Sequence, residues 1–252
     1  SGGEMEEAEK LLREILAGDP NDVKALRMLG TIAVEAARFK AARKLFKRAV
    51  ELKPGFVPGW NELANLYMKQ DRYEPALEAI EHALELDPKM VQSWIIKGNI
   101  LTRAQRHEES LEAFRHALSL SPASAGALSQ LGHVLKTIGR QEESIEAWRK
   151  CIRAHPAFGE AYWSLANLKT FEFAAEEVRA MEDMAERPGL PDEPRINLLM
   201  ALGKHYENEQ DYDRAFDYYR RGNDLRRQHE VYDPVQTQVV HDRIAEVFSA
   251  DF

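Results

Sequence analysis

Residues 57–90 read VPGWNELANLYMKQDRYEPALEAIEHALELDPKM, and this stretch holds one complete structural unit. Trp60, Leu63, Ala64 and Tyr67 fall at i, i+3, i+4 and i+7, the spacing of one helix face. Ala76, Ile80, Ala83 and Leu84 give a second helix a similar stripe. The polar KQDRY between them, residues 69–73, suffices for a tight helix–helix turn. Pro88 then stops the second helix, because proline lacks the amide donor and clashes with the preceding turn. The stretch predicts a helical hairpin.

The hairpin recurs. Pro20, Pro54, Pro88, Pro122 and Pro156 stand at a constant step of 34, which marks a repeat array. With repeats starting at 23, 57, 91, 125 and 159, the eighth position reads Gly30, Ala64, Gly98, Gly132, Ala166. The twenty-seventh reads Ala49, Ala83, Ala117, Cys151, Ala185. Small side chains there let two helices approach closely. Leu26, Trp60, Trp94, Leu128 and Tyr162 at the fourth position, with Phe46, Ile80, Phe114 and Trp148 at the twenty-fourth, fill the remaining space. Asp71 and Gly139 occupy the turn position, and no strand pattern appears. The sequence resembles the tetratricopeptide repeat, a 34-residue hairpin with W/L, L, G/A, Y, A, F, A and P at these places. That resemblance implies an all-α, right-handed superhelical solenoid.

The register divides the chain. Ala8, Leu12, Ile15 and Pro20 fit the second helix of a repeat whose first helix is missing. Residues 1–22 are therefore read as a truncated repeat behind an SGG that looks like a cloning scar, with the natural protein expected to continue N-terminally. Four regular repeats span 23–158. Residues 159–195 form a degenerate repeat, with Phe171-Glu172-Phe173 at its turn and a loop, RPGLPDEPR, holding three prolines. The last repeat, 196–229, restores Leu199, Leu202, Gly203, Tyr206, Ala215, Tyr219 and Gly222. Asp233-Pro234 then opens a capping or connecting helix within 230–252, carrying Val235, Val239, Val240, Ile244, Val247 and Phe248. AYWSLANLKTFEF, ALGKHYENEQDYDRAFDYYRRGNDLRR and YDP resemble the repeat region of bacterial repeat–sulfotransferase fusions, over roughly residues 160–252. This second resemblance implies a non-catalytic region cut just before an enzyme whose phosphosulfate loop is not in this sequence.

Composition narrows the function. The 252 residues carry 34 basic and 42 acidic side chains, net −8, which lacks the basic footprint of nucleic-acid binding. No apolar run approaches the ~20 residues of a membrane span. Cys151 is the only cysteine, so a disulfide framework or multi-cysteine metal site is excluded, and it reads as a buried packing thiol. His82 and His116, one repeat apart, read as a solvated surface pair more readily than as metal ligands. No glycine-rich phosphate loop, HExxH or GxSxG occurs. No enzyme activity, cofactor or metal is implied, and a cytoplasmic location is expected.

Function then rests on surface shape. Positions four, seven, eight and eleven of each first helix pack inward, so two, six, nine and thirteen point away. In tetratricopeptide arrays that face lines the concave groove where peptides lie. The ninth position reads Thr31, Asn65, Asn99, His133, Asn167, Lys204 and the thirteenth Glu35, Lys69, Arg103, Thr137, Phe171, Asn208. Asn65, Asn99, His133 and Asn167 form a polar ladder able to hydrogen-bond an extended backbone. Lys69, Arg103 and Lys136 make the groove centre basic, while Glu35 and Glu62 make its start acidic. The sharper expectation is an acidic protein or peptide segment anchored by an apolar side chain near Phe171. The alternative is a solvated polar face with Phe171 packed under the next loop. An accessory role in a sulfotransferase, and homo-oligomerisation through the truncated first helix or the 234–249 helix, are the competing readings.

Overall fold

Position eight of a first helix meets position twenty-four of its second helix, and their sizes are matched. The structure, a computed structural model, describes residues 2–229 together with 238, 239 and 243. The described residues form helices and no strand, in two compact units, residues 1–154 and 155–252. In the first unit, α1 (Gly2–Gly18) precedes four hairpins: α2 (Val23–Glu35) with α3 (Phe39–Leu52), α4 (Val57–Lys69) with α5 (Tyr73–Leu86), α6 (Val91–Arg103) with α7 (His107–Leu120), and α8 (Ala125–Thr137) with α9 (Gln141–Ala154). Within this unit α1, α3, α5 and α7 also pack on the first helices that follow them, and α2, α4, α6 and α8 touch in succession. The result is a solenoid of hairpins.

The closest approaches explain the glycines. A Cβ on Gly30, Gly98 or Gly132 would lie 2.3, 2.6 or 2.5 Å from the rings of Phe46, Phe114 or Trp148. Where Ala64 takes the glycine's place, the partner is the smaller Ile80. Phe46, Ile80, Phe114 and Trp148 are all fully buried, and Cys151 is buried with its thiol 3.6 Å from the Ala125 carbonyl.

The turns repeat as well. Ala37, Asp71, Gln105 and Gly139 adopt left-handed backbone, φ 54°, 55°, 61° and 82°. The following arginines, Arg38, Arg72, Arg106 and Arg140, donate their amides to Ala33, Tyr67, Leu101 and Leu135, the six-to-one bond that closes a helix C-terminus. Arg38 also reaches α1, where its guanidinium grips Glu9 at 2.6 Å beside Arg13. These hydrogen bonds, from Arg38 first, hold the Glu9 carboxyl down at about 2.

The second unit departs from the pattern. It contains α10 (Gly159–Ala166), α11 (Ala175–Ala185), α12 (Asp192–Asn208) and α13 (Tyr212–His229). The last two form a hairpin, with Gly203 against the Tyr219 ring. The eight-residue α10 packs on α12 instead of forming a hairpin with α11. At position twenty-four, where the regular repeats place a large apolar side chain opposite position eight, this unit has Glu182, so the usual small-against-large pairing is missing. Gly159 seals the new contact: a Cβ there would lie 2.2 Å from the Pro194 carbonyl oxygen. The apolar helix expected over 234–249 lies outside the described residues except for 238 and 239, which are helical, and 243. No described helix is long and apolar enough to cross a membrane.

Candidate peptide-binding face

Six of the expected groove residues sit on α4, α6 and α8, the first helices that touch in succession. Asn65 and Asn99 are half-buried, and no hydrogen bond from either amide occurs among the described residues. A half-buried amide with free donor and acceptor can bind a peptide backbone without choosing a sequence. Lys69 and Lys136 are exposed, near the C-terminal ends of α4 and α8, and form no ion pair among the described residues. His133 is half-buried with its ring edge-on to Trp148 at 5.3 Å.

Parts of the expected charge pattern are cancelled. Arg103 binds Asp71 of the preceding turn at 3.0 Å, and Tyr73 donates to the same carboxylate oxygen at 2.8 Å. The Tyr73 hydroxyl, then Arg103, holds the Asp71 carboxyl below the usual carboxylate range. Arg103 therefore contributes little free charge to the centre of the face. Glu62 is matched by Arg27 at 3.1 Å, so the expected acidic start of the groove is reduced to Glu35. Asn61 accepts a bond from Ser93 at 2.9 Å, a second lace between neighbouring first helices.

The two remaining residues belong to the second unit. Asn167 caps α10, exposed, and its amide donates to the Trp163 carbonyl at 2.8 Å. Phe171 offers no aromatic surface. It is 7% exposed and packs edge-on against Phe173 at 4.9 Å. With α10 drawn onto α12, the α10–α11 connection must bury its own aromatic pair, and that requirement overrides the helical phase that placed Phe171 on the open face.

Sequence reasoning missed a cleft in the first unit. Trp60 and Trp94 fill the interior only in part, Trp60 packing against the core cluster from its edge. They are half-buried, with indole nitrogens donating to the Pro54 and Pro88 carbonyls at 2.8 and 2.9 Å. His82 and His116 are exposed, as expected of a surface pair, and their rings lie tilted against the indoles, 4.8 and 4.0 Å between centroids. Trp60, His82, Tyr67 and Leu63 line a cleft of about 300 Å³ between α3 and α5. The recurrence of Trp and His 22 residues apart in two repeats was the available signal.

Comparison with known proteins places this geometry. Models of the tetratricopeptide repeat match residues 1–60, 61–125, and 125–158 with 196–229. No curated protein matches the sequence. Among solved structures, the chain is similar to a MamA double mutant, designated RS-1 ArsTM, at 19% identity and TM-score 0.52, over 61% of this chain and 86% of that one. It is also similar to YrrB, described as a TPR protein with an unusual peptide-binding site, at 16% identity and TM-score 0.50, over 82% and 96%. At these identities the likeness concerns the fold.

Proposed function

The chain belongs to the tetratricopeptide-repeat family, a fold of protein-interaction scaffolds, and we propose that it binds an extended peptide segment across the first helices of residues 23–137. The observation that carries this reading is the pair of half-buried amides, Asn65 and Asn99, one repeat apart and without protein partners among the described residues. Two amides in register can bond a strand-like backbone at successive positions, giving affinity with little side-chain demand. Lys69 and Lys136 flank them and favour a segment carrying carboxylates, with long-range steering that salt weakens. Arg103 and His133 add lesser contributions, being engaged with Asp71 and Trp148. Asn167 and Phe171 are left out of the contact set.

Peptides selected from a random library on the full chain test the assignment. Hydrogen exchange with a selected peptide bound is expected to slow amides of α4, α6 and α8, and selected sequences are expected to be enriched in Asp and Glu. Slowing confined to α3, α4 and α5, with α6 and α8 unaffected, would move the site to the Trp60 cleft. A second reading, the accessory repeat region of a larger sulfotransferase, rests on the resemblance of residues 160–252. The gene sequence adjoining Phe252 separates the two.

A further inference from the structure

The second unit holds a larger cleft, about 510 Å³, between α11 and the α12–α13 turn. Its floor is buried and apolar, made by Phe173, Val178 and Tyr206. Its walls are charged. Glu182, Glu209 and Asp211 stand against Arg179 and Arg214, but the arginines are already matched: Arg214 binds Asp211 at 2.5 Å and Arg179 binds Glu176 at 3.3 Å. Glu182 and Glu209 form no ion pair among the described residues. Tyr206 and Tyr218 both donate to Oε1 of Glu182, at 2.7 and 3.0 Å. Its Oε2 accepts no bond among the described residues. The carboxylate is thus held in place by two phenols with one oxygen to spare.

The tyrosine rings beside the cleft are already engaged within the chain. Tyr206 and Tyr218 stack nearly parallel at 5.6 Å. The chain's own guanidinium groups rest on them, Arg214 over Tyr206 at 4.1 Å and Arg221 over Tyr218 at 5.5 Å. Half-exposed His205 continues the aromatic wall, 6.3 Å from Phe173. Two carboxylates that form no ion pair among the described residues, one of them pinned by two phenols with an oxygen to spare, attract a guanidinium through charge-assisted hydrogen bonds. We propose that this cleft takes an arginine side chain of a partner protein segment, its guanidinium set between Glu182 Oε2, Glu209 and His205. This preference is opposite in sign to that of the first unit's face, and the site is independent of it.

The probe is Ac-Gly-Gly-Arg-Gly-Gly-NH2, titrated into the isotope-labelled full chain and followed by amide chemical shifts. Its citrulline counterpart keeps the shape and loses the charge. The arginine peptide is expected to saturate shifts at Glu182, His205 and Glu209, and the citrulline peptide to bind at least about 10-fold more weakly. Glu209→Gln, at an exposed position, is expected to weaken the arginine peptide by about 3–10-fold with the fold intact. Glu182→Gln is expected to do the same more strongly. Equal binding of the two peptides, no saturation, shifts outside the cleft, or tighter binding of a glutamate-containing peptide would each overturn the assignment.

Discussion

Gly98→Ala is expected to destabilise the first unit by about 2 kcal/mol, read as a lowered urea midpoint of the full chain. Helix propensity alone predicts the opposite sign, because alanine in a helix interior is favoured over glycine by about 1 kcal/mol. The steric term wins. Three ring atoms of Phe114 would lie within 2.9 Å of the new methyl group, and the ring is fully buried with nowhere to move. The double variant Gly98→Ala/Phe114→Ile recreates the pairing of Ala64 with Ile80 one repeat earlier. It should be more stable than Gly98→Ala, a coupling that only direct contact produces. A stabilised single variant would show that the glycines are not set by their aromatic partners.

Phe171→Ala carries the larger cost, about 3 kcal/mol of the second unit's stability, from lost burial plus the cavity left beside Phe173. Phe171→Leu should recover more than half of it. Binding of a selected peptide to the first unit should be unchanged by either. Thermal melts with affinity measured below the transition decide the matter. An exposed binding anchor would give the reverse result, normal stability with lost affinity.

These two residues also mark how far the sequence can be read. The prolines at a step of 34 and the small-against-large pattern were enough for the hairpin, its register and the repeat family, because each rests on local sterics repeated many times. Phe171 was misplaced because its helical phase was borrowed from neighbours, while α10 ends at Ala166 and docks on α12. That contact joins Gly159 to Pro194, two residues with no periodic relation. The helices that carry Asn65, Asn99, His133 and the nearby basic residues were legible, but their ion pairs were not. Arg103 and Glu62 are spent on Asp71 and Arg27, pairings that cross between repeats and depend on side-chain reach. Trp60 and Trp94 keep part of their indoles at the surface, bonded to the carbonyls of Pro54 and Pro88, while periodicity treats such a residue as wholly interior.

The affinity of one selected peptide for Asn65→Ala/Asn99→Ala tests the central claim most directly. Each amide lost to the bound backbone removes about 0.5–1.5 kcal/mol per hydrogen bond. The double variant should therefore bind at least about 5-fold more weakly at an unchanged urea midpoint. Unchanged affinity at full stability would contradict peptide binding across the first helices.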